Sequence, residues 1–303
     1  MGNPKAAKPE AAAPGRLPPW LRVRLPADAG FAATARTVAA GSLRTVCRGA
    51  RCPNIFECFS RGTATFLILG GVCTRGCAFC NIAAGTPDPV DAGEPERLGA
   101  AVAELGLTHA VVTSVTRDDL PDGGAAHFAA TIRAVRAAAP GTTVEVLIPD
   151  FRGDPEALAL VLDARPDVLN HNVETVPRLY ATARAGADYG RSLALLARAA
   201  GRGGPVVKSG LMVGLGETEG ELAAVFGDLA RAGCRVVTVG QYLRPSRRNL
   251  PVVRYVPPGE FEALAALGRE RGIAEMVAAP LVRSSYKAGE TAALAARACC
   301  PRP

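Results

Sequence analysis

The stretch GTATFLILGGVCTRGCAFC, residues 62–80, decides the fold. Its first part, Thr63–Leu69, is a short apolar run rich in strand-favouring side chains, so it reads as a buried strand. Two glycines then turn the chain into Cys73-Thr-Arg-Gly-Cys77-Ala-Phe-Cys80, and the strand delivers a loop bearing three closely spaced thiols. Downstream, strand and helix patterns alternate. Leu98, Ala101, Val102 and Leu105, and later Leu222, Val225, Phe226 and Leu229, follow the i, i+3, i+4, i+7 stripe of helices packed on a sheet. Between such stripes lie the apolar runs Ala110–Val115, Val144–Ile148, Asp167–Asn170, Val206–Val213, Arg235–Val239 and Ile273–Ala278. They are mostly β-branched and unalternated, as parallel strands buried on both faces should be.

The fold expected is therefore α/β, a partial TIM-type (β/α) barrel of about six or seven parallel strands. Polar residues gather just after these strands, at Thr116-Arg-Asp-Asp119, Asp150, His171-Asn-Val-Glu174, Gly214-Leu-Gly-Glu-Thr218 and Gln241. In a β/α barrel that rim carries the active site. Each cluster taken singly also reads as a turn or a helix cap. The expected division is a disordered lead-in over residues 1–16, an N-terminal extension over 17–61, the barrel over 62–280 and a C-terminal extension with a flexible tail over 281–303.

Six of the nine cysteines fall in two trios. Cys73, Cys77 and Cys80 form C-x-x-x-C-x-x-C, three thiolates that leave one iron of a cubane 4Fe–4S cluster without a cysteine and open to a substrate or cofactor. Cys47, Cys52 and Cys58 offer three more soft ligands, suited to an iron–sulfur cluster, zinc or Cu(I). A zinc staple competes with this reading, yet zinc sites usually close four ligands by pairing two C-x-x-C units, and neither trio has a second pair. The Gly214-x-Gly216 pair is no dinucleotide fingerprint, since its third glycine would fall at Glu219. His109 and His127 read as packed or solvated, Cys234 as a buried thiol, and Cys299 and Cys300 as tail residues.

Composition narrows the classes. Nine cysteines without a secretory pattern point to a reducing, cytosolic compartment and to metal ligation. No apolar run reaches the roughly 18 residues of a membrane span, so no membrane partner is expected. The net charge of +7 comes from scattered basic residues and aromatics are only 5%, so acidic protein partners are expected and nucleic acid is not.

Seven segments read together carry a resemblance: PPWLR at 18–22, CPNIFEC at 52–58, GTATFLILGGVCTRGCAFC at 62–80, HNVETVPRLY at 171–180, KSGLMVGLGET at 208–218, QYLRPS at 241–246 and RSSYKAG at 283–289. The chain resembles the lipoyl synthase family of the radical S-adenosylmethionine (SAM) superfamily, from about Pro18 to Gly289. Leu17, where the family commonly has a basic residue, and Lys287 are modest departures. The resemblance implies insertion of two sulfur atoms at C6 and C8 of an octanoyl chain on a lysine of a lipoyl carrier domain. It implies two 4Fe–4S clusters and SAM: Cys73, Cys77 and Cys80 hold the radical-generating cluster, and Cys47, Cys52, Cys58 and Ser285 hold the auxiliary cluster that donates sulfur. Ser284 is the weaker neighbour for that fourth ligand, and Asn172 and Glu174 are candidate SAM contacts. The implied partners are carrier domains of 2-oxoacid dehydrogenase E2 subunits and the glycine cleavage H protein, a ferredoxin or flavodoxin, and an iron–sulfur carrier protein. A tRNA methylthiotransferase would also pair two three-cysteine clusters, but it lacks the RSSY motif. A non-catalytic, zinc-stapled interaction protein is the rival of another class.

Overall fold

Each of the seven apolar runs becomes a parallel strand of one sheet. The computed structural model describes residues 17–23 and 29–291; the lead-in expected over residues 1–16, and Cys299 and Cys300, lie outside them. In chain order the strands are β1 (Arg44–Thr45), β2 (Thr65–Ile68), β3 (Val72–Cys73), β4 (Ala83–Ala84), β5 (His109–Ser114), β6 (Thr143–Leu147), β7 (Val168–Asn170), β8 (Val206–Val213), β9 (Val236–Gln241) and β10 (Glu275–Ala278). The helices are α1 (Ala29–Ala40), α2 (Val46–Gly49), α3 (Ile55–Ser60), α4 (Glu94–Glu104), α5 (Ala125–Ala138), α6 (Pro155–Asp163), α7 (Tyr180–Ala183), α8 (Tyr189–Arg202), α9 (Glu219–Arg231) and α10 (Pro258–Glu270).

The main sheet runs β1-β2-β5-β6-β7-β8-β9-β10, parallel throughout except for β1, which pairs antiparallel with β2. With β1 and β10 at its edges the sheet is an incomplete barrel. The stripes seen in the sequence are the buried faces of α4 and α9: Leu98, Ala101, Val102, Leu222, Val225, Phe226 and Leu229 are all in the core. The start of α9 is fixed locally, because Thr218 accepts from the Glu221 N–H while the Glu221 carboxylate accepts from the Thr218 N–H, a reciprocal capping box.

One face of β5–β8 carries a buried polar cluster. Lys208 Nζ donates to Glu145 Oε1 at 2.9 Å, Asn170 Nδ2 donates to the same oxygen at 3.2 Å, and His109 Nε2 lies 3.4 Å from Glu145 Oε2. Burial disfavours charge on Glu145, but the adjoining Lys208, helped by His109, outweighs it and holds the carboxyl below its ordinary range.

Two glycines, Gly210 on β8 and Gly240 on β9, stand where a side chain would not fit. A Cβ on Gly210 would stand 2.8 Å from Asn172 Oδ1, and one on Gly240 would collide with the Val282 carbonyl oxygen. Gly240 thus lets the segment after β10 run against the barrel. Gly240→Ala is expected to cost about 1–3 kcal/mol through overpacking, read as a lower midpoint of thermal unfolding. An unchanged midpoint would mean that residues 279–283 do not pass so close.

Candidate active site

The loop that follows β2 is tied down on three sides. Thr74 donates from both its N–H and its hydroxyl to Thr116 O at 3.0 Å, joining the loop to the end of β5. The Ala78 N–H donates to Ala183 O at 2.9 Å, and Asn249 Nδ2 donates to Cys80 O at 2.7 Å. The sulfurs are themselves acceptors: Cys73 Sγ takes the N–H groups of Arg75 and Thr116, and Cys80 Sγ that of Ile82, each at 3.4 Å. Backbone N–H groups aimed at sulfur favour thiolate and tune iron–sulfur clusters. Burial pushes Cys77 up to about 12, with Cys80, Glu174 and Cys73 adding to the rise and Arg184 opposing it. Burial also raises Cys80, with the Ile82 N–H opposing.

The segment after β7 comes to the same place. Glu174 has a left-handed backbone, φ 66°, and is held there by donating its N–H to Gly210 O and accepting from Met212 N–H, at 3.0 and 2.8 Å. A left-handed non-glycine residue is strained and persists only where its surroundings fix it. Its carboxyl is raised by burial and acts on Cys77 and Cys80 as a neighbouring charge. Asn172 Nδ2 donates to Glu174 Oε1 at 3.0 Å and to Ser284 Oγ at 3.3 Å, while its buried Oδ1 has no partner. Asn172, Glu174, Gly210, Gly240, Arg283 and Ser284 help line a cavity of about 70 Å³.

The second trio lies at the other end of β2. Thr45 pairs with Phe66, which sets Cys47 beside Thr65, and the Thr65 backbone bonds to the thiol. Burial raises Cys47 and Cys52 and, with Cys47 and Cys52 nearby, pushes Cys58 up to about 12. The C-terminal segment closes over this trio: Asn54 Nδ2 donates to Leu281 O at 2.7 Å, and Tyr286 OH donates to Glu57 Oε2 at 3.1 Å. Ser285 joins Cys47 and Cys58 in lining a cavity of about 430 Å³, while Ser284 turns to Asn172. The Arg283 guanidinium acts on Cys52 and donates from Nη1 to the Val282 carbonyl at 2.6 Å.

These donor sets suit anionic thiolate-bound clusters. Both trios are cysteine only, backbone groups bond to sulfurs in each, and a cation lies near each trio. Because burial raises Cys47, Cys52, Cys58, Cys77 and Cys80 and so favours their protonated forms, cluster assembly must release protons and gains from higher pH. Among the described residues no three His, Cys, Asp or Glu side chains close on a single ion. A cubane asks something different, placing each iron and its ligand at a separate corner.

Other rim residues serve the fold. Gln241 Nε2 donates to Val213 O, Tyr242 O and Arg254 O, and Glu217 accepts the N–H groups of Gly214 and Leu215. His171 is wedged between Ile148 O and Ser192 Oγ, and burial followed by Arg184 pulls it down to about 3, so it stays neutral. His127 bonds Glu94 at 2.8 Å, and Cys234 is a buried thiol pushed up to about 12 by burial. Arg184, buried with Tyr180 and Ser192 and acting on Cys77 and Glu174, was not singled out from the sequence. Only its basic character in the stretch after HNVETVPRLY could have flagged it.

Residues 67–229 match the family model of the radical SAM superfamily. The chain is 63% identical to a lipoyl synthase of Oleidesulfovibrio alaskensis, over 90% of this chain and 94% of that protein. It is 60% identical to a lipoyl synthase of Nitratidesulfovibrio vulgaris, over 95% of each. Among solved structures it is similar to HydG, a maturase of the FeFe-hydrogenase, with a TM-score of 0.56 and 18% identity over 76% of this chain. The chain spans 55% of HydG's length, and at that identity the likeness shows the fold alone.

Proposed function

The chain belongs to the lipoyl synthase family of radical SAM enzymes, which insert sulfur at C6 and C8 of an octanoyl chain on a lysine of a lipoyl carrier domain, and on that premise we propose which residues do each part of the work. Cys73, Cys77 and Cys80 would hold a 4Fe–4S cluster that binds SAM. Asn172 and Glu174 accept hydrogen bonds from SAM; the unpartnered Oδ1 of Asn172 and the strained placement of Glu174 beside Cys77 support this. Arg184 offsets negative charge at Cys77. Cys47, Cys52, Cys58 and Ser285 hold a second 4Fe–4S cluster. When bound, the two groups supply an electron for SAM cleavage and sulfur for the product, since acid–base chemistry cannot break an unactivated C–H bond.

The protein's own part is arrangement. Strand β2 separates the two trios, and the barrel interior between them is where an alkyl chain can be reached from both sides. A ferredoxin or flavodoxin reduces the enzyme, an iron–sulfur carrier protein rebuilds its sacrificed cluster, and the work takes place in the cytosol; the net charge of +7 suits acidic partners.

The observation that carries this reading is the parting of two adjacent serines, Ser285 toward Cys47 and Cys58 and Ser284 toward Asn172. A serine oxygen is harder than thiolate, so it binds iron less firmly and is the ligand most readily lost. Ser285→Ala is expected to assemble a less stable second cluster, and Ser285→Cys a stable one that seldom releases sulfide. Both should lose most sulfur insertion while still cleaving SAM. Full sulfur insertion by both variants, with iron content matching the wild type, would remove Ser285 from the ligand set.

A further inference from the structure

Arg75 occupies the middle of the C-x-x-x-C turn, and its side chain reaches away from the sulfurs. Nε and Nη2 donate to Asp118 Oδ2 and Oδ1 at 2.6 and 2.8 Å, and Nη2 also donates to Asp150 Oδ1 at 2.7 Å. Asp118 follows β5 and Asp150 follows β6, so one guanidinium spans two neighbouring strand ends. Asp150 is buried and anchored in turn, accepting from the Arg152 N–H and from Arg191 Nη1 of α8, both at 3.1 Å. Arg75 holds Asp150 down at about 2, against burial, so the carboxylate stays charged across the working pH range. The stem of Arg75 lies against Gly186, where a Cβ would stand 3.6 Å from Arg75 Cδ.

The backbone around Arg75 belongs to the same unit. The Asp118 N–H donates to Thr74 Oγ1 at 3.1 Å, and the N–H groups of Arg75 and Thr116 both point at Cys73 Sγ. With two carboxylates on it the guanidinium is fully compensated, so its contribution is geometric. A planar fork that serves two carboxylates at once is a property of arginine that a lysine ammonium lacks.

We propose that Arg75 is a positioning residue for the SAM-binding cluster: its clamp on Asp118 and Asp150 fixes the pitch of the cysteine turn and so the placement of Cys73 relative to Cys77 and Cys80. This rests on the assignment of that trio to the SAM-binding cluster.

The test uses the full chain reconstituted anaerobically, reduced by one electron and followed by electron paramagnetic resonance as SAM is titrated, with iron counted per chain. Wild type should show a signal that changes on adding SAM and is lost in Cys73→Ala; its survival there would sink the cluster assignment itself, whatever Arg75 does. Arg75→Ala should give a broadened signal of several overlapping species and need roughly tenfold more SAM for the spectral change, the scale of a lost charge-assisted pair. Arg75→Lys should recover only part of this, and the second cluster's signal should be unchanged in both. Failure of Arg75→Ala to load iron at this trio alone would also support the clamp. A wild-type line shape and SAM dependence in Arg75→Ala would overturn it, as would loss of both clusters together, which marks a general folding role.

Discussion

Replacing Cys73, Cys77 or Cys80 by alanine is expected to abolish formation of 5′-deoxyadenosine from SAM, a loss of at least about a thousandfold, because the cluster proposed for these three thiolates supplies the electron. The effect should be local. These residues sit past the C-terminal end of β2 in a loop held by Thr116, Ala183 and Asn249, and those ties do not depend on the second trio's cysteines. Iron at Cys47, Cys52 and Cys58 should therefore remain, and the variants should keep about half the iron of the wild type. Measuring 5′-deoxyadenosine and iron on the same samples checks both halves. A variant of this trio that still cleaves SAM at the wild-type rate would show that the radical chemistry lies elsewhere.

The mirror experiment separates the two ends of the barrel. Cys47→Ala, Cys52→Ala or Cys58→Ala should eliminate sulfur-bearing product while SAM cleavage persists in part. The second trio is built by β1, α2 and α3 and closed by the contacts of Asn54 with Leu281 and Tyr286 with Glu57. The loop after β2 meets this segment at Asn81, whose Nδ2 donates to Gly49 O at 2.8 Å, and its other ties, to Thr116, Ala183 and Asn249, are untouched by losing a cysteine there. Appearance of wild-type amounts of lipoyl product in any of these variants would take the sulfur-donor role away from this trio.

The parallel sheet was legible because its strands are buried on both faces and so print as continuous apolar runs; all seven runs became strands, with ends shifted by no more than two residues. The two-residue strand β1 and the β3–β4 pair are too short to leave a pattern, and pairing alone defines them. The polar rim was visible as a row of clusters, but its division of labour was not. Gln241 and Glu217 look as functional in sequence as Asp118 and Asp150, yet they bond only to nearby backbone. The partnership of Arg75 with carboxylates 43 and 75 residues away exists only once β5 and β6 are laid beside β2. The trios showed in spacing alone. Ser285 did not, since a serine in a turn carries no ligand signature, and only the resemblance singled it out; the fold puts it on the cavity that Cys47 and Cys58 also line.

The central claim is that one barrel keeps a SAM-cleaving centre and a sulfur-donating centre at opposite ends of the same strand. The most direct measurement is an anaerobic reaction of wild type, Cys73→Ala and Cys58→Ala with an octanoylated carrier peptide, SAM and a reductant, in which 5′-deoxyadenosine and peptide mass are quantified from the same tubes. Wild type should yield both 5′-deoxyadenosine and peptide with two added sulfurs, Cys58→Ala the nucleoside without the sulfurs, and Cys73→Ala neither. If Cys58→Ala and Cys73→Ala lose both products alike, or if Cys58→Ala still delivers two sulfurs to the peptide, the two ends of β2 do not hold separate centres.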